Sequence, residues 1–360
     1  MTISADRRDS RTNQVNKTLW VLFWGVVFLA LSSWIATQTG LAWWQPVTCD
    51  QSLKIHAYRA APSGYNVVVM GSSRAELGVN PLVVEKELSR QAEGSLTCFN
   101  LSQSAGQIRT DHVIFREVLR GQSTPDVVVL CTEARGFNSM SRRTSEYVKH
   151  YAQPWDILVE IRDIAAAGCL SDAASSFIRS ISCVVQYLTQ SPRTQKSKNH
   201  VLFWELSKGH GDPFRMNEGD QSKPAPTPGS RRWKAKFEKR KSFVRDNLLN
   251  DFEIGRASRR AFEKIIEISR ERKIELVVVN MPLTTDYMSL FEPGEYSQYM
   301  SYITKTCDRE KIPFFDYNAY EQHLPDSLFY DPDHLGPKGS ILFSRRIARD
   351  ALKPIFRNAQ

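Results

Sequence analysis

Five short apolar runs, separated by segments of helical spacing, organise most of this chain. They are NVVVMG (66–71), LTCFNL (96–101), DVVVLC (126–131), IELVVVN (274–280) and IPFFDY (312–317). Their apolar character is continuous rather than alternating, which suits strands buried on both faces of a parallel sheet. Four helices are predicted around them. One starts at Pro81 with Leu82, Val83 and Leu88 as its apolar stripe, Pro being well tolerated at a first helical position. Another covers about 107–120 through Val113, Ile114 and Val118, and a third runs from Arg256 to Arg272 through Ala261, Ile265 and Ile268. The last follows Pro337 with Ile341, Leu342, Ile347 and Leu352. Strand alternating with helix predicts an α/β domain, a parallel sheet between two helical layers, spanning 65–360.

The alternation fails between about 140 and 250, which reads as a helical and basic insertion into that domain. Residues 154–190 are moderately apolar and helical in pattern. From Ser191 to Arg245 there are 14 Lys and Arg against 5 Asp and Glu, a net of +9 that equals the formal charge of the whole chain. The Pro-rich KPAPTPGS (223–230) and then RRWKAKFEKRK (231–241) lie inside it. Such a run reads either as a solvated face or as a contact for anionic glycan or lipid headgroups.

The first forty residues change the setting of the domain. LWVLFWGVVFLALSSWIA (19–36) carries no charge in 18 residues, with Trp20, Trp43 and Trp44 placed as interfacial anchors. A cleaved signal peptide is the nearest rival, but no small-x-small site follows the apolar run. A buried soluble helix fits less well, since this one is apolar all round. Arg7, Arg8, Arg11 and Lys17 precede the span, and no Lys or Arg follows it before Lys54. The positive-inside rule then gives a cytoplasmic N-terminus (1–18), a transmembrane anchor (19–38), a juxtamembrane connector (39–64) and an extracytoplasmic domain. Six cysteines (49, 98, 131, 169, 183, 307) permit disulfides there, although Cys131 reads as a buried thiol. Outside the cytoplasm, nucleic acid is not an expected partner of the basic run.

Two stretches carry candidate chemistry. NVVVMGSSRAELG (66–78) ends a strand in adjacent hydroxyls, at the sheet edge where α/β proteins place their sites. FYDPDHLGPKGS (329–340) offers Asp331, Asp333 and His334 just before the last helix. A histidine suits proton transfer near neutral pH, and a carboxylate three residues earlier can curl back to hold its other nitrogen. By that spacing the orienting carboxylate is Asp331. The bland alternative is that an aspartate here merely caps the helix. No second His or carboxylate cluster stands at ligand spacing, so no metal is expected, and GSSRAELG lacks the Gly-x-Gly-x-x-Gly of dinucleotide sites.

A serine after the first strand with Asp-x-x-His before the last helix resembles the SGNH (GDSL-like) hydrolase superfamily. The resemblance covers about 66–138 and 256–352. It implies a flavodoxin-like αβα fold, with Ser73 as nucleophile, His334 as base and Asp331 as orienting acid, and no cofactor. FNLSQSAG resembles the family's second block and implies Gly106 as an oxyanion donor beside the Ser73 N–H. The third block supplies an asparagine; here the strand ends in CTEARGFN, Asn138 comes several residues late and Glu133 takes the nearer position. With the anchor, the chain looks like membrane-tethered accessory acyltransferases of cell-surface polymers, of the alginate-acetylation and lipoteichoic-acid D-alanylation type. That likeness implies a bacterial envelope acyltransferase or esterase acting on O-acyl, chiefly O-acetyl, groups of a polysaccharide. The implied partners are a glycan acceptor and a membrane-bound O-acyltransferase. Arg74 has two readings, a structural pair with Glu76 or Asp111, or a contact to an anionic substrate. The alternative for the whole chain is a non-catalytic envelope scaffold or glycan-binding protein on the same fold.

Overall fold

The computed structural model describes residues 20–35 (apart from 22, 29 and 33), 50–59, 61, 64–90, 96–120, 124–178 and 230–358. Five strands, β1 (Val67–Gly71), β2 (Cys98–Asn100), β3 (Val127–Thr132), β4 (Glu275–Asn280) and β5 (Phe314–Asp316), occupy the five apolar runs. They form one parallel sheet in the order β2-β1-β3-β4-β5. Val67 stands level with both Cys98 and Val127, and Val127 with Glu275, so the central strands end together.

Both faces of this sheet are buried, which is why the strands read as unbroken apolar runs. Val68, Met70, Val128, Leu130 and Val278 pack under one helical layer, built from Ile108–Val118, Arg256–Glu271 and Glu295–Glu310. Their neighbours Val67, Val69, Val127, Val129, Val277 and Val279 face the other, formed by Pro81–Ser89 and the last helices. Each of these side chains is essentially inaccessible, and fully burying a valine contributes roughly 1.5–3 kcal/mol relative to exposure. The fold is therefore α/β with helices on both sides of a parallel sheet. The chain crosses from β1 to β2 on one side and to β3 on the other, leaving a crevice beyond the carboxyl ends of β1 and β3.

Several expectations meet a different arrangement. In Pro81–Ser89 the buried face is Pro81, Val84 and Leu88, while Leu82 and Val83 are half-buried. The last helix, Pro337–Arg346, turns Ile341 and Leu342 outward and buries Phe343, with Ile347 and Leu352 in the π-helical turns after it. The connector contains a helix, Asp50–Arg59, that belongs to the domain: Ile55, Ala57 and Tyr58 are buried, and Tyr58 stacks on Tyr65 with ring centroids 5.6 Å apart. Its polar composition concealed that face.

Of the insertion, Arg143–His150, Pro154–Val159, Ile161–Ala166 and Arg231–Asn247 are helical, and 179–229 lie outside the described residues. The described part of the 19–38 span is helical and exposes Trp20, Phe23, Trp24 and Phe28; its remaining positions lie outside the described residues. Among the described residues no helix is long and apolar enough to cross a membrane. Cys98, Cys131, Cys169 and Cys307 are buried free thiols, whereas Cys49 and Cys183 lie outside the described residues.

Candidate active site

The β1 exit is shaped by Gly71. Its φ of +151° is a conformation that side-chain-bearing residues rarely adopt, and a Cβ there would lie 2.7 Å from the Cys131 carbonyl oxygen. The close approach to β3 lets the chain turn at once into the helix Ser73–Gly78. Ser72 caps that helix, its hydroxyl accepting from the Arg74 N–H at 3.3 Å. Ser73 is the first helical residue, so its own N–H is one of the donors that a helix start leaves without an internal partner. Asn100, ending β2, donates to the Ala75 and Val79 carbonyls at 3.1 and 2.7 Å and fixes the helix against the sheet.

The loop before the last helix folds back on itself. Asp331 Oδ1 accepts from the Asp333 and His334 N–H groups at 3.0 and 2.9 Å, forming an Asx-type turn. The Thr284 hydroxyl donates to the Pro332 carbonyl at 2.8 Å and pins the turn to the segment after β4. His334 is thereby held with Nδ1 2.9 Å from Asp331 and Nε2 2.8 Å from Ser73 Oγ. The tautomer that satisfies this line has Nδ1–H donating to Asp331 and Nε2 accepting the Ser73 proton. Ser73 and His334, 261 positions apart in the chain, meet with Asp331 behind them, all three largely buried or half-buried.

Gly106 is also brought to this point: a Cβ on it would sit 3.2 Å from Ser72 Cα and from the Gly71 oxygen. Its N–H donates to the Gln103 carbonyl at 3.2 Å, a long bond that competes with any ligand oxygen. Asn138 is committed elsewhere. Its amide nitrogen donates to the Leu248 and Asn250 carbonyls, and its oxygen accepts from the Met140 and Glu253 N–H groups. Two donors and two acceptor sites are an amide's full capacity, so Asn138 has nothing left for an oxyanion. It ties the end of β3 to the chain entering Arg256–Glu271 instead.

Arg74 is buried, its guanidinium 4.4 Å over the Tyr287 ring. Its ion pairs are not the expected Glu76 or Asp111 but Glu133 and, at 3.3 Å, Asp333. Glu76 instead takes Lys54 at 2.8 Å, and Asp111 lines a small cavity with Ser72, Gly106 and Cys131. Burial pushes the Asp111 carboxyl well above the usual carboxylate range.

Sequence reasoning named Asp333 and Glu133 but missed the belt of arginines, Arg135 and Arg240 with Arg74, that they hold. Asp333, fully buried, accepts from Arg74, from Arg135 at 3.2 Å, and from Arg240 at 2.8 and 2.7 Å. Burial alone would raise its carboxyl; His334 and the three guanidiniums outweigh that and hold it well below the usual range. Arg135 also donates through Nε to Glu133 at 2.9 Å, and its Nη2 lies 3.4 Å from both Ser72 Oγ and Ser73 Oγ. Arg240 comes from the basic helix Arg231–Asn247, which buries Phe237 and Val244. That helix is thus neither a purely solvated face nor only a ligand contact. The one sequence signal for the belt was the pair Glu133 and Arg135 in CTEARGFN, where the asparagine was sought.

Asp331, Asp333 and His334 bring ligand-type atoms within 4.8 Å of one another. Asp333 is already saturated by guanidiniums and both nitrogens of His334 are engaged, so a cation would have to displace charged donors to bind. The set is better suited to proton transfer and to stabilising negative charge beside a hydroxyl.

No curated protein matches this chain. A family model described as a protein of unknown function, DUF1574, matches residues 58–339, which takes in all five strands, the insertion and the Ser73, Asp331 and His334 positions. With most of its length matched, the chain belongs to the DUF1574 family.

Proposed function

We propose that this protein is an acyl-transfer enzyme with a Ser73–His334–Asp331 triad, on a flavodoxin-like fold of the SGNH type. The observation that carries the reading is the unbroken line from Ser73 Oγ to His334 Nε2 at 2.8 Å and from Nδ1 to Asp331 at 2.9 Å. The strand order 2-1-3-4-5 and the location beyond β1 and β3 support it, as the crevice at a topological switch point is where such sheets bind ligands.

In this mechanism Ser73 Oγ attacks the acyl carbonyl while its proton passes to His334 Nε2. The imidazolium is stabilised by Asp331, and the carbonyl electron pair becomes an oxyanion. Collapse expels the alcohol, which takes the proton from His334, and leaves a seryl ester. A sugar hydroxyl or water, deprotonated by the same histidine, then releases the acyl group. We place the enzyme outside the cytoplasmic membrane of a bacterium, tethered by the apolar segment 19–38, and acting on O-acyl groups of an envelope or exported polysaccharide. The cationic N-terminal flank and the exposed aromatic residues of that segment support this setting.

The test is covalent trapping. Full-length protein in detergent, treated with a fluorophosphonate, should carry one adduct on the peptide containing Ser73, and none in Ser73→Ala. An unlabelled Ser73, with the wild type no faster than Ser73→Ala on p-nitrophenyl acetate, would overturn the reading in favour of a non-catalytic scaffold.

A further inference from the structure

We propose that Arg135 is a catalytic residue, the third oxyanion donor, in the place where an asparagine was sought. The inference rests on the acyl-transfer reading above and adds a charged donor to it. Arg135 stands in the short helix Ala134–Phe137 directly after β3, on the edge from which Ser73 also projects. Its side chain is 6% exposed, so its donors must find partners inside the protein.

Two of its three nitrogens have strong ones, Nε on Glu133 at 2.9 Å and Nη1 on Asp333 at 3.2 Å. Nη2 has only the two serine hydroxyls, both at 3.4 Å, at the outer limit of a hydrogen bond. A buried guanidinium corner is therefore held by two carboxylates so that its least satisfied N–H groups face the nucleophile. When Ser73 Oγ bonds to the acyl carbon, the carbonyl oxygen, two bonds from that Oγ, takes up the negative charge. Arg135 Nη2–H then acquires an anionic acceptor in place of weak contacts to neutral hydroxyls. The gain is larger in the tetrahedral intermediate than in the free enzyme, which is the requirement for catalysis. Asn138 cannot supply this donor, because both its amide hydrogens are engaged. The Ser73 N–H supplies another, while Gly106 must first release the Gln103 carbonyl.

The experiment compares fluorophosphonate labelling and p-nitrophenyl acetate turnover in full-length wild type, Arg135→Gln, Arg135→Ala and Glu133→Gln. Glu133→Gln loosens the belt but leaves the guanidinium in place. Arg135→Gln should slow labelling and kcat by about 10²–10³-fold, with KM within about threefold, the range for loss of one oxyanion donor. Glu133→Gln should lose less than about tenfold. Millimolar guanidinium chloride should restore at least tenfold of the rate lost in Arg135→Ala, and should not accelerate Ser73→Ala. Arg135→Gln labelling at the wild-type rate would overturn the inference. So would equal losses in the Arg135 and Glu133 variants without restoration by guanidinium, which marks a structural role. A wild type that no fluorophosphonate labels fails the acyl-transfer reading first, and this inference with it.

Discussion

Two regions of this protein use the same device for different ends. At the site, Asp333 is fully buried and approached by Arg74, Arg135 and Arg240. In the helix Ile108–Val118 Glu117 is equally buried, and is approached by Arg59, Arg116 and Arg120, with Gln153 donating to it at 2.7 Å. The difference is access. The three arginines around Glu117 are 23–28% exposed and keep part of their hydration, whereas Arg74 and Arg135 are 1% and 6% exposed and only Arg240, at 19%, approaches the others. A half-solvated ring of charge ties helices together at modest cost. A dry one must be satisfied internally, and a donor left over, here Arg135 Nη2 at 3.4 Å from Ser73 Oγ, faces its neighbour with little screening by water.

The largest break in this comparison is expected from Asp331→Asn. Asparagine retains an oxygen for the two backbone N–H groups of the turn, so the loop should survive while His334 loses its carboxylate. Turnover of p-nitrophenyl acetate should fall about 10⁴-fold, the size expected when such a histidine is held in the wrong tautomer, with the thermal midpoint little changed. A variant that retained a tenth of the activity would remove Asp331 from the mechanism.

Removing the charge from each buried carboxylate comes next. Asp333→Asn takes from Arg240 its carboxylate partner and leaves Arg74 and Arg135 with Glu133 alone, and should cost about 3–5 kcal/mol of unfolding free energy. Glu117→Gln, whose arginines can turn to water, should cost only about 1–3 kcal/mol. Equal losses in urea titrations would erase the distinction drawn here.

The pH dependence sharpens it further, because the two regions should have opposite slopes. Asp333 is held below its ordinary value, so the unfolded chain binds the extra proton. Its contribution is complete above about pH 4 and disappears only as pH falls well below that. Glu160 packs beside Tyr147 and Arg109, the latter on the same helix as Glu117, and burial outweighs Arg109 and pushes its carboxyl up to about 7. Between pH 4.5 and 7 the folded chain therefore holds a proton that the unfolded chain lacks, and stability should fall as pH rises through that window. The decline is on the order of 3 kcal/mol. Unfolding free energies at pH 5, 6, 7 and 8 should show it in wild type and lose it in Glu160→Gln. An unchanged slope in that variant would assign the effect elsewhere.

What could be read from the chain alone follows the range of the forces involved. The strands were legible because two-sided burial writes a continuous apolar run, and Asp331 with His334 because a three-residue turn is a local event. The buried faces of Pro81–Ser89 and the last helix were misjudged. The apolar residues of a short helix exceed what one face needs, and which ones turn inward depends on the layer beneath. The helix Asp50–Arg59 was hidden by a polar composition, although Lys54 is buried because it donates to the Ser102 carbonyl and Glu76.

By itself, then, the sequence determined the parallel α/β plan, which follows from periodicity, and offered Asp331 with His334 through a short spacing, while Ser73 was singled out only through the resemblance of its block to the SGNH superfamily. Tertiary structure decided which charges surround them. Arg135 and Arg240 meet Asp333 across 198 and 93 positions, and Asn138 is drawn away by carbonyls more than 100 positions distant. Ion pairs and buried amides of this kind are selected by what else is dry at the same point in space, and no local pattern records that.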